Sequence, residues 1–286
     1  MKGKRMLKEI NKNVGAVFLL LLYYVVFTII NSIIINCNEK WFLNHYELTE
    51  SIVNICIFTV TLLILLHFKG NFGKINLKSF IQGLVYSLPI VLFCIYFSVE
   101  AIKWIFFDKR ALYTPRIVPA FWINVFWYIT VGLSEEMVFR CGFLNYLLDK
   151  NHENTKKREC FACIYSAFLF GIMHFMGYFV DMELRIALYT VGVACLIGYI
   201  FAVIFLKTKN LAVVMVLHFA WNLTTYCNAK MIMEKYRYSG SYNFYHYQVP
   251  VLIVMSVVAT VLLYKSGTEE LSLHMVSENS GEDKCM

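Results

Sequence analysis

The sequence predicts an all-α fold, a polytopic transmembrane helical bundle of about eight helices. Three observations predict it. Of 286 residues, 59% are hydrophobic, 17% aromatic and only 16% charged, and the mean hydropathy is +0.60, too apolar for a water-soluble domain. The apolar residues gather in runs near or above the roughly 18 residues that carry a helix across a hydrocarbon core of about 30 Å. Those runs lack the alternating ten-residue pattern of barrel strands. One transmembrane domain over residues 1–264 follows, with its polar centre at 119–228 and a polar cytoplasmic tail at 265–286.

The first run, 14–35, follows the basic stretch Lys2, Lys4, Arg5, Lys8, Lys12. It is longer than the apolar core of a signal peptide and lacks a small-residue cleavage site, so we expect an uncleaved span. Further spans are expected at 51–68 and at 80–97, the latter continuing towards Phe107 with a kink at Pro89. A fourth, 119–148, is long enough to tilt. The remainder are 160–180, 187–206, 211–227 and 249–264. Gly171, Gly177, Gly192 and Gly198 are expected to let helices pack closely.

The net charge of +7 is spread over short loops with no base-stacking or zinc motif, which argues against nucleic acid as a partner. Membrane topology explains it better. With the N-terminus inside, the inner segments hold Lys69, Lys74, Lys156, Lys157, Arg158, Lys207 and Lys209 among others and outnumber the outer cations. Both termini are then cytoplasmic, and the protein suits a bacterial plasma membrane. Nine cysteines, mostly in apolar runs, imply no disulfide framework. The lone Cys160-Phe161-Ala162-Cys163 spacing is structural on the same grounds. Tyrosines between 229 and 248 suit a headgroup-level belt.

Against this background the stretch from Gly132 to Arg140 stands out, because Glu135, Glu136 and Arg140 sit inside an apolar segment. A charge near mid-bilayer costs about 2.5–3.5 kcal/mol on insertion scales, so such groups face a protein interior or a wet cavity. Glu136 and Arg140 are four apart and can pair on one face. Glu135 is turned about 100° away and stays available. The fifth run adds His174 and the seventh adds His218 with Asn222, again four apart. Counted from the cytoplasmic ends at about 1.5 Å per residue, Glu135, His174, His218 and Asn222 lie roughly 10–21 Å deep and share a layer. The bland readings are an ion pair for Glu136 with Arg140 and interhelical polar bonds for His174 and Asn222.

Taken together, Glu135-Glu136-x-x-x-Arg140, Phe170-x-x-x-His174 and His218-x-x-x-Asn222, in that order on separate apolar segments, resemble the signature motifs of the CPBP intramembrane proteases. That family includes the CAAX prenyl endoproteases and the Abi proteins linked to bacteriocin processing and self-immunity. The resemblance covers about 122–224. It implies an endopeptidase that cuts a membrane-associated CAAX-type or leader peptide near the cytoplasmic face. Glu135 would be the general base with His174 on the same water, His218 and Asn222 the oxyanion site, and Glu136 with Arg140 the support of the fourth helix. A cavity open to the cytoplasm would supply the water.

Glu135, His174 and His218 are also candidate zinc ligands, although no H-E-x-x-H motif is present. Water activated by glutamate and histidine alone is the other route. The expected partners are membrane lipid and a peptide substrate: a prenylated CAAX protein, or a bacteriocin or signalling-peptide leader. Two rivals stand beside this reading. One is a proton-coupled transporter using the buried glutamates and histidines as a relay; the other is a non-catalytic bacteriocin-immunity protein on the same fold.

Overall fold

In the computed structural model, residues 39–67, 76–107, 117–149, 156–176, 183–235 and 247–264 are described. The expected span at 14–35, the tail 265–286 and most of the tyrosine-rich segment lie outside them, as do both termini. Every described element is helical: α1 (Glu39–His67), α2 (Leu77–Tyr86), α3 (Leu88–Phe107), α4 (Ile117–Glu136), a π-helical segment (Met137–Leu144), α5 (Asn145–Asp149), α6 (Lys156–Met173), α7 (Leu184–Thr208), α8 (Leu211–Lys235) and α9 (Tyr247–Tyr264). Among the described residues, four helices are long and apolar enough to cross a membrane, or five if the bent pair α2 and α3 is one span. The helices α4 and α8, which carry the polar site, are not in that count.

The bundle turns apolar side chains outwards and small or polar ones inwards, as lipid demands. Along α6, Phe161, Ile164, Tyr165 and Phe168 are exposed, while Ala162, Cys163, Ser166, Ala167 and Phe170 on the other face are buried. A similar stripe on α9 exposes Ile253, Val254, Val257 and Val261. Helix α6 packs along α7, α1 along α4, and α8 against both α3 and α4.

Two glycines bring the site helices together. A Cβ on Gly171 of α6 would stand 3.0 Å from the Val191 carbonyl oxygen and the Cys195 nitrogen of α7. One on Gly132 of α4 would stand 3.1 Å from the Met215 carbonyl oxygen of α8, directly beside His218. Gly198 packs on Phe170 as expected, but Gly192 has nothing within 4 Å of its Cβ direction and is no packing glycine. Its side of α7 faces open space. Gly177 lies outside the described residues.

The third expected span is broken rather than kinked. Helices α2 and α3 meet at 78°. Ser87 ends α2, its backbone N–H bonding the Gly83 carbonyl at 3.1 Å and its hydroxyl donating to the same oxygen at 2.8 Å. Pro89 follows in the first turn of α3, where a missing N–H costs nothing, so it starts a helix instead of bending one.

The N-terminus of α6 meets the C-termini of α7 and α9 at one end of the bundle. Lys156 there donates to the Tyr264 carbonyl at 2.6 Å, and Lys207 to that of Leu263 at 3.3 Å. Arg158 donates to the Leu147 carbonyl of α5 through two nitrogens, at 3.2 and 3.0 Å. Cations at helix C-termini satisfy orphan carbonyls and oppose the helix dipole. Several cations of the inside-positive set are thus gathered at one end.

Candidate active site

Site construction begins where α4 gives way to the π segment. Arg140 lies in that segment and Glu136 is the last residue of α4; both are fully buried, with Arg140 Nε 2.8 Å from Glu136 Oε2. The pairing expected from their spacing is present, although the backbone carrying it is not a continuous α-helix. Arg140 Nη1 also donates to Ser166 Oγ of α6 at 3.2 Å, and that hydroxyl donates to the Phe139 carbonyl at 3.3 Å. The guanidinium carbon stands 5.3 Å from the centroid of the Phe170 ring, a cation–π contact. Burying a charge is tolerable only where such partners surround it.

His218 joins the two glutamates. Its Nδ1 is 2.9 Å from Glu136 Oε1, and its Nε2 is 3.6 Å from Glu135 Oε2. A carboxylate held by arginine only accepts, so the Nδ1 proton belongs to the bond with Glu136. That fixes the tautomer and leaves Nε2 facing Glu135 and the cavity. Glu136 therefore holds His218 as well as Arg140, a role the sequence did not suggest.

His174 opens the 3₁₀ turn after α6, its Nδ1 2.9 Å from the Phe170 carbonyl oxygen. The Phe170 ring meets both histidines edge-on, with centroids 4.8 Å from His174 and 5.8 Å from His218. Phe170 was part of a motif in the sequence but had no role; here it forms a wall shared by both imidazoles and Arg140. Phe201 of α7 closes the other side of His218, with ring centroids 5.8 Å apart.

His174, His218 and Asn222 line one cavity of about 860 Å³. Glu135, 13% exposed, touches its deep end through His218 and is not itself a lining residue. The structure thus brings three of the four expected residues to one space and sets the fourth against one of them. Further lining comes from Arg185 and Tyr189 of α7 and Gln248 of α9; Tyr189 Oη donates to Gln248 Oε1 at 2.8 Å. Sequence reasoning gave none of these a place in the site, because each is an ordinary residue near the end of an apolar run.

The cavity deepens from exposed residues at the start of α7, Arg185 and Ile186, to His218, which is 3% exposed. The start of α7 is at the end of the bundle opposite Lys156 and Lys207. The opening is consequently at the end away from Lys156 and Lys207.

The zinc reading fits poorly. Among the described residues no three histidine, cysteine or acidic side chains are grouped to hold a metal. Glu135, His174 and His218 do not form one ligand set here.

Comparison with known families adds one match. Residues 117–224 match the family model described as type II CAAX prenyl endopeptidase Rce1-like. The match begins with the first residue of α4 and ends within α8, so it contains every site residue expected from the sequence. Gln248 lies outside it. No curated protein and no solved structure matches the chain. The long apolar helices make this an integral membrane protein, and its residues 117–224 are similar to a family of membrane proteases.

Proposed function

We propose that the protein is an intramembrane endopeptidase that hydrolyses a membrane-associated peptide with a water molecule activated by Glu135 and histidine. The observation that supports this most is the sharing of one cavity by His174, His218 and Asn222, with Glu135 behind His218. Water on the cavity side of the Glu135–His218 pair, also within reach of His174, loses a proton to that pair as its oxygen adds to the scissile carbonyl carbon. Asn222 donates to the resulting oxyanion. The proton then passes to the departing nitrogen, the C–N bond breaks, and a carboxylic acid and an amine are released. Glu136 and Arg140 keep His218 in the tautomer this transfer needs. In a cavity of low dielectric these interactions are stronger than in water.

The transporter rival gains one observation, the break between α2 and α3. Transporter sites lie at such breaks, whereas Ser79 and Ser87 here bond to Asn210 and to the Gly83 carbonyl, away from the cavity lining. The peptidase reading is favoured.

Purified protein in liposomes should cleave a farnesylated C-terminal peptide or a leader peptide. Glu135→Gln and His174→Ala should each lower the rate by at least about a hundredfold, with insertion unchanged, and the parent should keep its activity after exhaustive chelation. Parental rates in both variants would sink the proposal.

A further inference from the structure

We infer that Gln248 of α9 binds the backbone of the substrate, its side-chain Nε2 donating a hydrogen bond to one peptide carbonyl oxygen. The inference rests on the peptidase reading above. Gln248 is 2% exposed and lines the cavity from the first turn of α9. Its Oε1 is occupied, since Tyr189 Oη of α7 donates to it at 2.8 Å. Its Nε2 has no acceptor among the described residues. The bond to Tyr189 sets the plane of the amide and leaves the NH2 group as its polar end on the cavity.

Buried donors are paired in native structures, so one without a protein acceptor suits a ligand that brings its own. The surroundings select the kind. A carboxamide is uncharged. Ile186 and Val193, about one turn to either side of Tyr189, and Val249 and Pro250 after Gln248 make this wall apolar. A neutral acceptor therefore fits it better than an anion. Backbone carbonyls are such acceptors, and a peptide carries one at every residue. A bond to the main chain holds the peptide without reading its side chains. Gln248 stands on α9, whereas Glu135, His174, His218 and Asn222 belong to α4, α6 with its following turn, and α8. Its contact is thus to a carbonyl other than the one being hydrolysed, and a bond kept unchanged through the reaction strengthens binding without raising kcat.

The test scans the farnesylated C-terminal peptide, replacing one backbone amide at a time by an alkene, which has no carbonyl, or by an ester, which keeps the carbonyl and loses the N–H. Binding of the fluorescently labelled peptides is read on the full chain carrying Glu135→Gln in detergent, and cleavage on the parent. At one bond other than the scissile one, the alkene should weaken binding about two- to tenfold, the range of a neutral hydrogen bond, and the ester less. Gln248→Met should weaken the all-amide peptide by a similar factor and abolish the extra loss at that one bond, raising KM in cleavage with kcat nearly unchanged. A purely structural tie between α7 and α9 would instead weaken every peptide equally. That result, an alkene scan flat away from the scissile bond, or ester and alkene losses of equal size would each overturn the assignment. A carbonyl effect that disappears in Gln248→Met, seen without any cleavage by the parent, would refute the peptidase reading and leave the backbone contact standing.

Discussion

At the scale of single residues, adjacent glutamates have different work. Glu136 is fully buried between Arg140 and His218, while Glu135 has one imidazole nitrogen 3.6 Å away and residual exposure. Removing Arg140 leaves Glu136 buried without its cation, and breaking a buried pair in this way costs about 3–5 kcal/mol. Arg140→Ala should therefore lower thermal stability sharply, measured by unfolding in detergent, whereas Glu135→Gln should leave it nearly unchanged. The sequence supplied the four-residue spacing of Glu136 and Arg140 and hence their bond. It did not supply the bond from Glu136 to His218, 82 positions apart, because nothing local sets how α4 is rotated against α8.

At the scale of elements, the helices were largely legible and their irregularities were not. Apolar runs located α7 and α9 to within three residues and the starts of α6 and α8 to within four, since lipid forces a backbone to satisfy its own hydrogen bonds; the ends of α6 and α8 fall seven and eight residues from the expected ones. The π segment around Arg140 and the 78° break at Ser87 had no such signal. Both depend on side-chain partners contributed elsewhere or on capping by one serine. Gly171 and Gly192 were indistinguishable in sequence, yet one touches α7 backbone and the other touches nothing. Alanine scanning should separate them. Gly171→Ala should cost about 1–3 kcal/mol through overpacking, and Gly192→Ala should be neutral or gain up to about 1 kcal/mol; equal effects in a denaturation assay would contradict this packing.

At the scale of the whole molecule, the charge pattern and the cavity point to opposite ends. Lys156, Arg158 and Lys207 cap carbonyls at one end, the end that the basic residues of the sequence lead us to expect on the cytoplasmic side. Arg185 and the mouth of the cavity are at the other. A membrane-impermeant maleimide should label Arg185→Cys in intact cells above the parental background; labelling only after lysis would reverse the orientation. The convergence of His174, His218 and Asn222 on one cavity was legible in their places on separate apolar runs. The direction in which that cavity opens was not, because it depends on which helix ends leave space between them.

The central claim is that His174 and His218 act on one substrate in one cavity, and a double-mutant cycle tests it most directly. Groups that work as a unit are strongly non-additive, so the second substitution removes little once the first has been made. Peptide cleavage by His174→Ala, His218→Ala and the double variant should give a double-variant kcat/KM close to that of the weaker single variant. Losses that multiply would show two histidines acting independently and would contradict the account.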